Sequence, residues 1–290
     1  MLVGRFAPSP TGPLHLGSLV AAAGSWLFAR HAGGKWLVRM EDLDTPRVVA
    51  GSADEILEAI ERYGLTWDGN VVYQSQRTAL YDEALVTLRA NNLVYDCGCS
   101  RADLQHAASA PVGREPVYPG TCSDGLPPGR APRAIRFRAP HGLIAFDDIV
   151  AGHVAEDVAT QTGDFVVRRA DGVYAYQLAV VVDDAAQGVT QIVRGADLLT
   201  STPRQIALLR ALGLPVPQYA HLPLVTNTAG AKLGKRDGAL PLPELDEKRI
   251  AETLALALRI LGVGDVPRDT PANMLAQARE RFAVATISRE

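Results

Sequence analysis

Short apolar runs alternate with longer amphipathic stretches along the first third of the chain. Runs at 2–6, 36–40, 71–74 and 93–96 have the length and side-chain types of strands, while stretches at 16–30, 52–63 and 78–91 repeat their apolar positions at helical spacing. Strand–helix–strand repetition predicts an α/β fold with a parallel sheet covered on both faces and ligands at the carboxyl ends of its strands. Near Cys97 the pattern breaks. From 97 to about 168 Pro and Gly are frequent, and only short alternating runs at 134–138 and 143–147 stand out, which predicts an inserted, largely β subdomain. The α/β pattern then resumes with apolar runs at 174–182 and 191–193 and a helix at 202–212. A last helix at 246–261 reads as a cap on the core.

The chain has 290 residues, 47% of them apolar, enough for a sizeable core in one large domain or two. No run approaches the roughly 20 apolar residues of a membrane span, and no basic-then-apolar leader opens the chain, so a cytoplasmic protein without a membrane partner is expected. A net charge of -3 gives no global pull toward nucleic acid. Any RNA contact must come from a local patch, and the segment carrying Arg130, Arg133, Arg136 and Arg138 is the candidate, its alternative being the exposed face of a hairpin.

Two segments at opposite ends carry candidate chemistry. In Pro10-Thr11-Gly12-Pro13-Leu14-His15-Leu16-Gly17-Ser18 a Pro/Gly turn precedes an apolar run. His15 and Gly17 are therefore expected on the opening turn of a helix, where free N–H groups and the positive dipole end attract phosphate. Lys232-Leu233-Gly234-Lys235-Arg236 is a glycine-hinged loop able to close on a polyanion and neutralise charge. Only four lysines stand against 25 arginines, and two of the four are Lys232 and Lys235, which argues against random surface charge. Each segment alone has an ordinary reading, as a capping histidine or a solvated charged face. Together, with Glu41-Asp42-Leu43-Asp44 between them, they read as an ATP site. There is no Gly-x-x-x-x-Gly-Lys-Ser/Thr run and no Gly-x-Gly-x-x-Gly run after a strand, which argues against a P-loop NTPase or a dinucleotide enzyme. All three cysteines, Cys97, Cys99 and Cys122, fall within one 26-residue window. An odd count in a chain expected to be cytosolic argues against disulfides, whereas three thiolates and a fourth donor make a closed, structural zinc site. On general chemistry His106 is the better fourth donor.

The two segments resemble the His-Ile-Gly-His and Lys-Met-Ser-Lys-Ser elements of class I aminoacyl-tRNA synthetases. The stretches Arg5-Phe6-Ala7-Pro8-Ser9-Pro10-Thr11-Gly12, Arg39-Met40-Glu41-Asp42-Leu43-Asp44 and Ile192-Val193-Arg194-Gly195-Ala196-Asp197-Leu198-Leu199 narrow the resemblance to the glutamyl branch, over roughly residues 3 to 240. It implies a class I synthetase Rossmann-like catalytic domain over 1–96 and 169–240, and an inserted zinc-binding, acceptor-type subdomain over 97–168. Residues 241–290 would then be a short helical segment. It implies activation of L-glutamate by ATP with Mg2+, with His15 and Lys235 catalytic and His15, Gly17, Ser18, Lys232 and Lys235 on ATP. Arg5, Ser9, Glu41, Tyr176 and Arg194 would hold glutamate, Glu41 taking the ammonium. For the metal it points to Tyr118, with Cys97, Cys99 and Cys122, in preference to His106. The chain departs from the pattern at Ser18, which replaces the second histidine, and at Gly234 and Arg236, which replace both serines. Serine can donate a hydrogen bond to phosphate but carries no charge, so slower activation is expected, while the retained His15 and Lys235 favour an active enzyme. The 54 residues after Arg236 are too few for the anticodon-binding domain of a full glutamyl-tRNA synthetase. The short members of the branch are glutamyl-queuosine tRNA(Asp) synthetases, and the expectation is a monomer that transfers glutamate to queuosine in the anticodon loop of tRNA(Asp). The alternatives are a truncated synthetase charging tRNA(Glu), a non-catalytic binder of amino acid or RNA, and a small-molecule adenylyltransferase of the same fold.

Overall fold

A computed structural model describes residues 1–100, 102–103, 117–225, 242 and 246–287. In chain order its elements are β1 (Val3–Phe6), α1 (Leu16–His31), β2 (Lys35–Met40), α2 (Ser52–Arg62), β3 (Val72–Tyr73), α3 (Thr78–Ala90), β4 (Val94–Cys97), β5 (Ala134–Phe137), β6 (Leu143–Asp148) and β7 (Gly152–Asp157). There follow α4 (Val158–Gln161), β8 (Phe165–Arg168), α5 (Tyr176–Ala186), β9 (Gln191–Gly195), α6 (Thr202–Ala211), β10 (Gln218–Leu222), α7 (Glu247–Ile260) and α8 (Pro271–Arg281).

Strands β1, β2 and β3 pair in parallel, and β9 and β10 pair in parallel from Gln191↔Gln218 to Gly195↔Leu222. The two groups meet at β1 and β9, tied by the Thr190 amide to the Val3 carbonyl at 2.9 Å and by the Val3 amide to the Thr190 hydroxyl at 2.9 Å. Across that seam the order is β3-β2-β1-β9-β10-β6-β7, the antiparallel hairpin β6–β7 joining β10 through Tyr219↔Asp148. The chain builds outward from β1 in one direction and later in the other, so a crevice opens beyond the carboxyl ends of β1 and β9. Strands β4, β5 and β8 form a separate antiparallel sheet.

Helix α1 is apolar almost all round because it is enclosed on every side: β1 and β9 lie beneath it and α7 and α8 cover it, leaving Leu19, Ala22, Ala23, Leu27 and Ala29 fully buried. At Gly24 a Cβ would lie 2.5 Å from Leu222 Cδ1 and 3.0 Å from Leu261 Cδ2, so the missing side chain lets β10 and the end of α7 close on α1. The apolar run 174–182 contains three consecutive valines, which suit a strand on propensity alone, yet it forms helix α5. Leu178 through Asp184 are all buried, so α5 is an interior helix whose packing against α3, α6 and β8 overrides local preference. Strands β7, β8 and β10 and helix α8 lack a pattern strong enough to be read from sequence. In α8 only Met274, Leu275 and Ala278 are buried, and its start is set by Thr270, whose hydroxyl accepts from the Asn273 amide, with Pro271 in the first turn.

Helix α5 ends in two adjacent buried acids. Asp183 accepts from Arg77 Nε at 2.5 Å, Gln74 Nε2 at 2.8 Å and the Tyr81 hydroxyl at 2.7 Å, which ties α5 to α3 and the segment before it. Asp184 faces the sheet and accepts from Arg39 Nη1 at 2.8 Å and Arg5 Nε at 3.1 Å. Removing one partner of such a buried set strands the other charges in a poorly solvated site, at a cost of about 3–5 kcal/mol. Asp183→Ala is accordingly expected to lower the unfolding free energy by about that amount in denaturant titrations; a loss under about 1 kcal/mol, the range of exposed ion pairs, would contradict this account of α5.

Candidate active site

The crevice at the strand ends is walled by the start of α1. His15 is the N-cap of α1, with extended backbone at φ −129° and ψ 177°, and its Nδ1 accepts from the Ser18 amide at 3.3 Å. In the neutral ring the proton therefore sits on Nε2. Gly17 permits this posture, since a Cβ there would lie 3.1 Å from His15 Cε1. His15, Gly17 and Ser18 line a cleft of about 200 Å³ shared with Gly195, Asp197 and the segment from Leu222 to Val225. The arrangement joins a helix N-terminus, an imidazole and an open cavity, which suits a phosphate chain.

Beside the cleft four of the expected amino-acid residues come together. Arg5 leaves β1, Glu41 follows β2, Tyr176 opens α5 and Arg194 lies near the end of β9. Arg5 and Arg194 are 3% and 5% exposed, and the Glu41 carboxylate is nine-tenths buried. Burial pushes the Glu41 carboxyl above its ordinary value against the pull of Arg39 and Arg5, and the like charge of Asp184 adds to the rise. For Asp184 burial would act the same way, but the charges of Arg39 and Arg5 outweigh it and hold its carboxyl below the usual aspartate range. Glu41 therefore gains most from a cation arriving in the crevice. Ser9 lies on the exposed loop after β1, brought next to Glu41 by the Glu41 amide donating to the Pro8 carbonyl at 2.9 Å.

Behind Arg194 is a buried chain absent from the sequence reading. Its Nη1 donates to the Tyr176 hydroxyl at 3.3 Å, its Nη2 to the Thr202 hydroxyl at 2.7 Å and its Nε to His221 Nε2 at 3.1 Å. His221 Nδ1 meets Asp148 Oδ2 at 2.6 Å, both side chains being wholly buried. Burial, with the charge of Arg194, holds His221 below the ordinary histidine value despite Asp148. Burial alone would raise Asp148, but the hydrogen bonds from His221 and from the Ala151 and His221 amides outweigh it and keep the carboxyl low. Asp148, Asp184 and the role of Arg39, which the sequence reading named only within a motif, also escaped it. The usable signal was the paired acids at 183 and 184 closing an apolar run, since a buried acid pair demands arginines elsewhere.

At the end of β4 Cys97 meets Cys99 and Cys122 from the segments beside the antiparallel sheet, their sulfurs all within 4.8 Å of one another. The Cys99 and Cys122 sulfurs are 3.7 Å apart, and the Tyr118 hydroxyl lies 3.5 Å from Cys97 Sγ and 3.8 Å from Cys99 Sγ. Tetrahedral zinc with its usual bond lengths needs sulfur–sulfur edges of about 3.8 Å and sulfur–oxygen edges of about 3.5 Å, so this donor set fits the ion. His106 lies outside the described residues, as do Lys232, Gly234, Lys235 and Arg236. The basic segment is not the open patch expected. Arg136 is 6% exposed, stacks 3.8 Å from the Tyr118 ring centre and donates to Cys97 Sγ at 3.3 Å. Arg138 lies over Tyr95 and donates to the Asn92 and Ser123 carbonyls. Both faces of β5 are covered at Arg136 and Phe137, and Arg130 is paired with Asp103, which leaves Arg133 as the exposed arginine without a partner carboxylate among the described ion pairs.

The profile of tRNA synthetases class I (E and Q), catalytic domain, matches residues 1–265, so the fold is a class I synthetase catalytic domain. Among solved structures, a glutamate-tRNA synthetase from Elizabethkingia anophelis superposes with a TM-score of 0.81 at 27% identity, covering 100% of this chain and 67% of that one. Among curated proteins, the glutamyl-Q tRNA(Asp) synthetase of Geobacter sulfurreducens is 58% identical over 90% of this chain and 84% of its own length. That of Thiobacillus denitrificans is 53% identical over 98% and 94%. The chain belongs to the glutamyl-Q tRNA(Asp) synthetase family, ligases of the class I synthetase kind. No helix among its described residues is long and apolar enough to cross a membrane.

The depressed Asp184 carboxyl has a consequence for acid stability. A group whose folded value lies below its unfolded value of about 3.9 contributes fully above that pH, and the contribution is lost as pH falls through the folded value. Unfolding free energies measured at pH 5, 4 and 3 should therefore fall more steeply for the wild type than for Asp184→Asn. Equal slopes would show that the Arg5–Asp184–Arg39 cluster does not bias this titration.

Proposed function

We propose that this protein activates L-glutamate with ATP and Mg2+ to glutamyl-adenylate and transfers the glutamyl group to queuosine in the anticodon loop of tRNA(Asp). The observation that carries the reading is the convergence of two buried arginines, Arg5 and Arg194, with one buried carboxylate whose charge is disfavoured, Glu41, next to a helix N-terminus. A dicarboxylic amino acid supplies the matching charges: its ammonium relieves Glu41, and its two carboxylates meet the arginines, Arg5 through the Nη hydrogens not given to Val193 and Arg194 through its charge and its remaining Nη1 hydrogen. Ser9 and Tyr176 complete that pocket. The triphosphate would run along the Gly17 amide and the Ser18 hydroxyl with His15, and Lys232 and Lys235 would neutralise charge developing toward pyrophosphate. Attack of the glutamate carboxylate on the α-phosphate needs orientation and charge stabilisation, with no covalent enzyme intermediate. The choice of queuosine in tRNA(Asp) is supported by the names of the relatives, at 53–58% identity. An anticodon-loop base splayed from its stack is a target that a catalytic domain can take by shape and hydrogen bonding.

We further propose that Cys97, Cys99, Tyr118 and Cys122 hold one structural zinc. Such an ion, when bound, would cross-link the segment around 97–122 and leave no position open for chemistry. The division into a catalytic body over 1–96 and 169–240, an inserted zinc-bearing unit over 97–168 and a helical segment over 241–290 is kept as part of this reading, as are a cytoplasmic location and a monomeric state.

Glutamate-dependent exchange of pyrophosphate into ATP is expected without RNA, and Lys235→Ala should lower it by about two orders of magnitude. Exchange supported by glutamine and not glutamate would overturn the roles of Arg5 and Arg194. With labelled glutamate, queuosine-containing tRNA(Asp) should be labelled, and its unmodified transcript and tRNA(Glu) should not. Label on the 3′ adenosine of tRNA(Glu) would favour a 3′-charging synthetase instead. For the metal, elemental analysis of freshly purified protein should give about one zinc per chain, because a closed thiolate site contributes directly to folding. Tyr118→Phe should weaken zinc retention while His106→Ala should not; unchanged zinc in Cys99→Ser would remove the site.

A further inference from the structure

Arg194 does not sit in the crevice by its own preference. Its guanidinium is oriented by four acceptors, the Tyr176 and Thr202 hydroxyls, the Leu198 carbonyl and His221, and the one that fixes the Nε edge is His221 Nε2, at 3.1 Å. An imidazole nitrogen accepts a hydrogen bond only when it carries no proton, so the geometry requires the His221 proton on Nδ1. Asp148 supplies the reason for that choice. Its Oδ2 lies 2.6 Å from Nδ1 and needs a donor there, while its Oδ1 accepts from the amides of Val150 at 3.0 Å, Ala151 at 2.7 Å and His221 at 3.1 Å. With His221 2% and Asp148 4% exposed, water offers no alternative partner.

We infer that Asp148 and His221 are positioning residues for the ligase reaction: Asp148 locks His221 in its Nδ1–H form, and His221 in turn aims the Arg194 guanidinium at a substrate carboxylate. This rests on the reading of Arg194 as a glutamate contact. The backbone amides make the chain of dependence testable by a nearly isosteric change. In Asp148→Asn those three N–H groups hold the side-chain oxygen, so the amide nitrogen must face His221 Nδ1. His221 Nδ1 then becomes the acceptor and the ring proton moves to Nε2, where it can donate to the Thr202 hydroxyl at 3.0 Å and confronts the Arg194 Nε–H. The same misplacement of one proton separates an aligned relay from a broken one wherever a carboxylate orients an imidazole.

The first measurement reads the wild-type protein. Nitrogen NMR of [15N]histidine-labelled wild-type protein, with the His221 signals identified by their loss in His221→Gln, is expected to give an Nδ1–H tautomer at pH 7; an Nε2–H ring overturns the relay whatever Arg194 does. In Asp148→Asn the tautomer should switch, and in glutamate-dependent pyrophosphate exchange the KM for glutamate should rise about tenfold with the KM for ATP unchanged, the pattern of a lost substrate-binding orientation. A purely structural role would instead lower the amount of folded enzyme and leave both KM values alone, which overturns the proposal. Arg194→Lys separates the two readings. If it leaves the KM for glutamate unchanged, Arg194 is no glutamate contact and the relay has nothing to aim; if it raises that KM while Asp148→Asn changes neither tautomer nor KM, the relay alone fails.

Discussion

Two adjacent carboxylates at the end of one interior helix set the terms for everything around them. Neighbouring side chains on a helix point about 100° apart, so Asp183 and Asp184 hydrogen-bond to different groups, with Arg39 alone in ion-pair reach of both among the described ion pairs, 3.9 Å from Asp183 and 2.8 Å from Asp184. Asp183 draws in Arg77, Gln74 and Tyr81, and Asp184 draws in Arg5 and Arg39 from the first two strands. A bare carboxylate in such a place would be neutralised or would unfold the helix end. The arginines are thus obligatory, and because two of them lie on β1 and β2 the acid pair fixes how α5 sits against the sheet. Even so the set is not saturated: Asp184 Oδ2 and Arg39 Nε have no hydrogen-bond partner. The cluster is held by charge as much as by directed bonds.

That arrangement leaves the crevice charged before any ligand enters. Arg5 is anchored by Asp184 through Nε, which leaves the outer edge of its guanidinium for a carboxylate, and Arg39 is spent on Asp184, Gln187 and Glu41. Glu41 is the group left least satisfied. A site of this kind is preorganised: the charges are fixed by the fold, so little reorganisation is needed when a ligand of opposite pattern arrives. Arg194 is anchored on the opposite side of the crevice by a different device, a neutral histidine in place of a carboxylate. A neutral acceptor orients the guanidinium without cancelling its charge, and that difference keeps a full positive charge available in the crevice.

The antiparallel sheet follows the same logic with softer ligands. Arg136, which as sequence looks like part of an RNA-binding strip, lies against a thiol and a phenol ring. Burial would raise the Cys97 thiol, but the hydrogen bonds from Tyr118, the Cys99 amide and Arg136 hold it below its ordinary value. The arginine is a counter-charge for a thiol cluster, and counting charges along the sequence could not show that β5 is covered on both faces at that point.

Much of this was legible in the chain itself. The alternation of runs defined a parallel α/β sheet because strands buried on both faces read as short continuous apolar runs between longer stretches at helical spacing, and the motif around His15 announced a helix start because turn and cap residues act within a few positions. The clustering of three cysteines in sequence was enough to suggest a shared metal. What the chain could not disclose were partners distant in sequence. Arg5 and Asp184 are 179 residues apart, and Asp148 and His221 are 73 apart. The run 174–182 read as undifferentiated apolar sequence because a helix buried on all sides has no polar face to mark its period. Charge type and spacing are local properties and survive in the sequence; which buried charge answers which, and on which nitrogen a proton rests, is decided only when the sheet closes and brings those strands side by side.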